Sequence, residues 1–251
     1  MAKQKGIIKL EGTIGDITFV KTKDGYIAKE KTGLTGDRIA NDPAFQRTRE
    51  NGAEFGRAGK AGKMLRTAFR SLLQNAADSG MTARLTKEMM RVIQADVTSV
   101  RGQRNVIDGE AELLQGFDFN EQGKLATTLF APFTTTIDRV TGALTADIPS
   151  FIRNVMIGYP SGATHFKITA AGASIDFEGQ SFEQKISASA VLALDGVATA
   201  ALNLVNNLTA NSTHPLFLVL GIEFYQEVNG NQYPLKNGAF NALQIVKVEG
   251  V

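Results

Sequence analysis

The chain has 251 residues, of which 43% are hydrophobic and 21% are charged, a composition typical of a folded globular protein. It contains no cysteine, which excludes disulfides, thiolate metal ligands and cysteine nucleophiles. The formal net charge of +2 is unevenly distributed: residues 1–116 hold 20 basic and 14 acidic side chains, whereas residues 117–251 hold 7 and 11.

The N-terminus lacks the apolar core of a signal peptide, because Lys9 directly follows the apolar pair Ile7-Ile8. No stretch approaches the roughly 20 apolar residues of a membrane-spanning helix. These features predict a protein without a membrane span. We expect it to stay in the cytoplasm, or to leave it by lysis or a leaderless route.

Residues 6–31 predict a small three-stranded β-meander within an N-terminal arm over residues 1–40. Ile8, Leu10 and Ile14 give alternating apolar positions, and Asp24-Gly25 is a strong tight-turn signal. Two or three strands alone are marginal in water. The meander is therefore expected to pack on the helices, on the C-terminal domain or on another subunit.

A loop over residues 32–41 leads into a basic helical segment, predicted over residues 41–116. Asp42 as N-cap and Pro43 at the first helical position start a helix that could run to about Ala77. Thr82 or Thr86 opens a second helix. Residues 43–105 hold 12 basic and 5 acidic side chains.

The first of these helices is unusual because it contains four glycines, Gly52, Gly56, Gly59 and Gly62. Each interior glycine costs a helix about 0.5–1 kcal/mol relative to alanine. Two interpretations follow. The helix breaks into two near residues 56–62, or it is continuous and the glycines let another backbone pack closely.

From Phe117 onward the apolar period changes to two, which predicts an all-β domain over residues 117–251. Asn229-Gly230 predicts a tight hairpin, and the apolar run from Leu216 to Leu220 predicts a central core strand. The predicted strands are 124–130, 133–140, 143–148, 153–159, 164–170, 173–178, 181–194, 198–206, 216–228, 231–236 and 241–249. The predicted fold class is α+β: a small N-terminal β-meander, a helical middle segment and a C-terminal antiparallel β-sandwich, immunoglobulin-like or jelly-roll-like.

No catalytic constellation is evident in the sequence. The two histidines, His165 and His214, have no local nucleophile motif beside them. The stretch 56–63 resembles a phosphate-binding loop, but Arg57 stands where glycine is required and Met64 where serine or threonine is required. We therefore predict no enzyme activity, no metal site and no cofactor.

A basic series in the helical segment is the candidate contact surface, either for a neighbouring subunit or for a polyanion. Lys60, Lys63, Arg66 and Arg70 recur at helical spacing, so they can form a stripe. The full series is Arg47, Arg49, Arg57, Lys60, Lys63, Arg66 and Arg70.

Two resemblances bear on the architecture. The glycine-punctuated stretch 6–19, the turn and strand at 25–28 and the helix start Asn41-Asp42-Pro43 resemble a protein family of Bacteroidetes-type bacteria. That family implies an N-terminal hairpin and a C-terminal β-sandwich, and it has no known activity or catalytic residue to transfer. The layout also resembles tube-forming and tail-type subunits, in which projecting hairpins and terminal arms join β-domains.

These observations predict a non-catalytic, self-assembling structural protein, the subunit of a homo-oligomeric filament, tube or shell with head-to-tail contacts. The alternative is a nucleic-acid-binding protein that uses the basic helix over residues 47–70. A further alternative is a β-sandwich module that binds carbohydrate or protein.

Overall fold

The computed structural model describes residues 2–23, 25–31, 34–107, 109–235 and 240–251, and the chain forms two compact units over residues 1–49 and 50–251. Asp24 of the predicted turn, Thr32 and Gly33 of the predicted loop and Lys236 of a predicted strand lie outside the described residues. The three predicted segments, with limits at residues 40 and 116, stay a prediction.

The first unit contains a four-stranded antiparallel sheet with the order β1-β4-β3-β2. The predicted three-stranded meander corresponds to its last three strands, and a short N-terminal strand pairs with β4. Ile8 and Leu10, predicted to lie in a strand, are in the connection between β1 and β2. The strands are β1 Ala2–Lys3, β2 Gly12–Ile14, β3 Ile17–Thr22 and β4 Gly25–Glu30.

A short helix, α1 (Gly36–Asn41), occupies most of the predicted loop, so the loop prediction was wrong there. The Thr35 side chain caps it by accepting a hydrogen bond from the Arg38 N–H. Asp42 caps a turn of 3₁₀ helix at Pro43–Phe45, as the predicted N-cap requires, and the long helix begins at Gln46.

The three helices between residues 46 and 94 form one layer. Helix α2 (Gln46–Ala68) is continuous through its four glycines, so the helix does not break at residues 56–62. It ends earlier than Ala77, and a short α3 (Arg70–Leu73) follows. Helix α4 (Met81–Gln94) begins just before the predicted threonines and buries an apolar stripe.

Two antiparallel sheets form the rest of the second unit. The small sheet has the order β10-β6-β5. In the six-stranded sheet, β11 pairs with β7 at the centre. Strands β13 and β12 pair with the outer side of β11, and β8 and β9 pair with the outer side of β7. The strands are β5 Thr134–Asp138, β6 Ala143–Ile148, β7 His165–Asp176, β8 Ser181–Ala188, β9 Leu192–Ala193, β10 Leu202–Asn207, β11 Leu216–Val228, β12 Asn231–Pro234 and β13 Ala242–Glu249.

Two strand predictions were wrong. Residues 124–130 and 153–159 contain single helical turns instead, α5 (Leu125–Thr128) and α6 (Arg153–Met156). The turn at α5 is stabilised from outside, because the Asp118 carboxylate accepts a hydrogen bond from the Leu125 N–H. A contact between separated residues therefore overrides the local apolar pattern.

The centre of the six-stranded sheet, at β7 and β11, is buried on both faces, which confirms the predicted core strand at Leu216–Leu220. Phe217 and Val219 of β11 pack in one core with the helices, whereas Leu216 and Leu218 pack in a second core with the small sheet. Strand β7 follows the same pattern with small side chains, and a Cβ on Gly172 would lie 3.1 Å from Leu144 Cδ2 of the small sheet. The unit thus has three layers: helices, large sheet and small sheet. The whole chain is an α+β fold.

The predicted hairpin at Asn229-Gly230 is present. Both residues have positive φ, 51° and 77°, and they connect β11 to β12 with Val228 opposite Asn231. This is the backbone conformation that selects Asn-Gly in two-residue hairpins.

A polar cluster joins the helix layer to the segment that covers the edge of β13. Arg84 of α4 contacts the Asp78 carboxylate at 2.8 Å and donates to the carbonyl of Asp118, while Asp78 accepts the N–H of Glu121. The hydrogen bond from Arg84 lowers the pKa of Asp78 from its ordinary 3.8 to about 2, and the Glu121 N–H acts in the same direction against the effect of burial.

We predict that Gly221→Ala destabilises the second unit by about 1–3 kcal/mol. Gly221 pairs with Leu243, and a Cβ there would lie 2.9 Å from the carbonyl oxygen of Ala242, an atom of the neighbouring backbone. Urea unfolding measures the change, and an unchanged midpoint would show that the sheet relaxes freely.

We predict that acid weakens the fold through Asp78. Because its pKa is lower in the folded chain, its ionised form stabilises the fold above about pH 4, and this contribution is lost as the pH falls toward 2. Asp78→Asn should be less stable at neutral pH and lose less stability over that acidic range. Urea unfolding at a series of pH values measures this. If the free energy of unfolding falls equally for both proteins from pH 7 to pH 2, the prediction is contradicted.

Candidate self-association surfaces

The sheet of the first unit, here called the open sheet (β1 to β4), has no buried side chain: none of the described residues between 2 and 49 is buried. Residues directly opposite one another on antiparallel strands share a face. By the observed register, Ile14 lies opposite Ile17, and Phe19 lies opposite Ala28. One face of the open sheet therefore carries exposed apolar side chains, Ile14 at 65% and Ile17 at 48%, together with Glu30 opposite Ile17.

The connection between β1 and β2 also exposes apolar side chains. Gln4 closes it, because its side chain accepts from the Leu10 N–H at 2.8 Å and its carbonyl oxygen accepts from Lys9 Nζ at 2.7 Å. Between these residues Ile7 and Ile8 are 102% and 80% exposed. The adjacent isoleucines interrupt the alternation of apolar and polar residues that is typical of a strand. This interruption is the signal in the sequence for the loop.

The rim of the open sheet is positively charged. Lys9 and Lys21 lie over the Tyr26 ring, with their Nζ atoms 5.9 and 5.8 Å from its centroid. An acidic surface is therefore the matching partner for this face.

The structure divides the basic series into two groups. Arg49 donates to the carbonyl oxygens of Ile39 and Asp42, and Arg57 donates to those of Gly102 and Arg104 at 2.7 and 3.1 Å. Both guanidinium groups thus hold backbone in place. Arg47 also has an interaction partner.

The second group forms what we call the basic groove. Lys63, Arg66 and Arg70 line one depression together with Thr67, Leu73, Gln74, Ala77 and Met81, so among the described residues no carboxylate contributes to its lining. Within the part of the chain that the structure describes, Arg66 Nε is buried without a hydrogen-bond partner. Lys60 lies apart from this groove, beside Arg57 and Glu178.

The glycines of α2 also fall into two groups. Gly52, Gly56 and Gly59 recur on one helix face, and a Cβ on any of them would meet no described atom within 4 Å. Phe55, beside them, is 61% exposed. Only Gly62 of the four faces the core, where a Cβ would contact Leu85 at 3.7 Å.

A hydroxyl-rich cleft lies at the end of β8. It has a volume of about 450 Å³, and Ser174 Oγ and Ser212 Oγ lie 2.7 Å apart in its wall. Asp176 and Glu183 supply its carboxylates, and Phe182 is its aromatic side chain. His214 also lines this cleft.

The other histidine, His165, links strands. Its Nδ1 lies 2.9 Å from Thr164 Oγ1, and its Nε2 lies 3.3 Å from the Glu227 carboxylate. The Thr164 hydroxyl already accepts the Glu227 N–H at 2.7 Å, so it joins β7 to β11. Among the described residues no three histidine or acidic side chains are grouped to hold a metal ion.

Searches of protein-family models, curated proteins and solved structures find no match to this chain. The family resemblance of the N-terminal motifs therefore stays a prediction. Over the described part of the chain, every helix is too short or too polar to cross a membrane.

We predict that Gly52→Ala, Gly56→Ala and Gly59→Ala each stabilise the isolated chain by about 0.5–1 kcal/mol. The added methyl groups meet open space, and the helix loses less backbone entropy on folding. Urea unfolding of dilute protein measures this. Destabilisation would mean that the face is already covered.

Proposed function

We propose that this protein is a non-catalytic, self-assembling structural protein, whose copies join head to tail into a filament, tube or shell. The observation that carries the proposal is the open sheet, which exposes Ile14 and Ile17 and buries no described residue. Ordering each residue costs about 1–2 kcal/mol of conformational free energy. A sheet with both faces in water gains little apolar burial against that cost.

A second copy is the partner that the charges favour. Residues 1–49 hold 10 basic and 6 acidic side chains, whereas residues 50–251 hold 17 and 19. The first unit of one copy and the second unit of another therefore attract each other. Contact between different surfaces of identical chains is heterologous, and it produces rings or open filaments.

The helix face at Gly52, Gly56 and Gly59 supports the same proposal. Three interior glycines weaken the helix, and no described atom lies near them to explain the lack of side chains. Close approach of a neighbouring copy, with Phe55 at its margin, would account for them. The glycines would then contribute to assembly and not to the fold of one chain.

We predict that Ile14→Lys with Ile17→Lys prevents assembly. Losing two buried isoleucines removes about 3 kcal/mol or more of association free energy, roughly a hundredfold in the association constant. Light scattering over a concentration series, with negative-stain microscopy, measures assembly. The matched control is Val97→Lys with Val100→Lys, which adds the same charge at exposed sites of the second unit.

A monodisperse monomer of the unaltered chain at high concentration would contradict the proposal. Equal assembly of both double variants would place the contact elsewhere.

The basic groove favours one second candidate, binding of nucleic acid. Lys63, Arg66 and Arg70 line it, and no carboxylate of a described residue lines it with them. Phosphate contacts made by three cations give affinity that falls steeply with salt.

We predict that, if this function holds, replacing Lys63, Arg66 and Arg70 by alanine reduces the salt dependence of oligonucleotide binding by about 2–3 in the log–log slope. Fluorescence anisotropy of labelled single- and double-stranded oligonucleotides measures it. Alanine at the exposed Lys23, Lys87 and Lys124 removes equal charge elsewhere and serves as the control. Absence of salt-sensitive binding by the unaltered chain would eliminate this candidate.

A further inference from the structure

The six-stranded sheet has one long unprotected edge, the outer side of β8. Strand β8 pairs with β7 on its inner side, and no backbone hydrogen bond between described residues reaches its outer side. The opposite edge is different, because Gly116 and Phe119 donate to the carbonyl oxygens of Ile245 and Leu243 on β13. An open edge of eight residues offers a row of free N–H and C=O groups to another strand.

The side chains of β8 alternate in character. Phe182 and Ile186, 41% and 47% exposed, share the face that carries Gln184, and Glu183 and Lys185 lie on the other face. Among the described residues Gln184 Nε2 is buried without a hydrogen-bond partner. Charged side chains often protect an exposed sheet edge. On β8 the charges of Glu183 and Lys185 are confined to one face, and the other face exposes Phe182 and Ile186.

The connection between β1 and β2 has the complementary properties. Residues 5–9 have no backbone hydrogen bond to any described residue, and they contain the exposed Ile7 and Ile8. In the single chain the segment 5–10 is bent at residues 6–8 and Gln4 accepts the Leu10 N–H, so addition to β8 requires that the segment straighten and release this hydrogen bond. It holds β-branched residues and no proline, which an extended conformation tolerates. Its length, about 20 Å when extended, fits along β8.

The alternating patterns of the two segments match on one face. In an extended segment, Ile8 and Leu10 share one face, and Lys5, Ile7 and Lys9 share the other. With Ile8 and Leu10 on the face of Phe182 and Ile186, apolar side chains pair with apolar side chains. The two lysines then lie on the face that carries both Glu183 and Lys185, so the apolar face supplies the contact.

We propose that residues 5–10 of one copy add as a strand to the outer edge of β8 in the next copy. This inference rests on the proposed function and names its contact. Each copy then donates a strand from its first unit and accepts one on its second unit. Its own β8 edge stays free for a further copy, so growth continues in one direction.

The test uses two variants of the full chain. The donor variant, Ile8→Lys with Leu10→Lys, keeps its β8 edge, and the acceptor variant, Phe182→Lys with Ile186→Lys, keeps its N-terminal segment. All four side chains are exposed, so the fold should persist, as circular dichroism and urea unfolding can verify. Each variant alone should lose assembly about a hundredfold.

An equimolar mixture is the decisive sample. One intact donor segment then meets one intact β8 edge, so the mixture should form particles with the mass of two chains and grow no further. Assembly of either variant like the unaltered chain, or a mixture that stays at the mass of one chain, would overturn the inference. In those cases assembly of the unaltered chain would still support the proposed function, whereas its failure to assemble would overturn both.

Cross-linking gives a second measurement that does not depend on added lysines. The chain has no cysteine, so Ile8→Cys in one copy and Gln184→Cys in another provide the only thiols. A short bismaleimide should join the mixed variants into a heterodimer. Ile8→Cys with the exposed Val97→Cys is the matched control, and equal yields in both mixtures would count against the β8 contact.

Discussion

The second unit depends on the burial of one sheet on both faces. Alternate residues of β11 enter two separate cores, Phe217 toward the helices and Leu218 toward the small sheet. The neighbouring β7 matches them with small side chains, because Gly172 leaves room for Leu144 to approach. Close packing on both sides explains why helices and small sheet are held as layers of one unit rather than as separate domains.

The first unit is built under the opposite condition. Its sheet is hydrogen-bonded through an ordinary antiparallel register, yet no described residue in it is buried. Hydrogen bonds alone contribute little net stability in water. The contrast between a sheet buried on both faces and one buried on neither directs attention to contacts between copies. The open edge of β8 offers a place for such a contact on the buried sheet itself.

The basic helix illustrates how packing divides one sequence feature among several roles. Helical spacing predicted one stripe of four cations, but Lys60 lies apart from the groove that Lys63, Arg66 and Arg70 share. Of the other cations in the series, Arg49 and Arg57 hold backbone carbonyls. The four glycines divide in the same way, with Gly62 against Leu85 and the others on the open face. Helical spacing identified which residues could share a face, but the rotation of the helix on the sheet set which face was buried.

The sequence by itself determined the elements whose signals are local and strong. The Asn229-Gly230 hairpin follows from the positive φ that those residues tolerate, and β11 follows from its unbroken apolar run. Tertiary structure alone decided the rest, including the helical turns at Leu125 and Arg153, the continuity of α2 and the open edge of β8. The turn at Leu125 depends on Asp118, seven residues earlier in the chain. The turn at Arg153 and the sheet depend on contacts between residues far apart, such as the Arg153 N–H with the carbonyl oxygen of Val197 and β7 with β11, which no local pattern encodes.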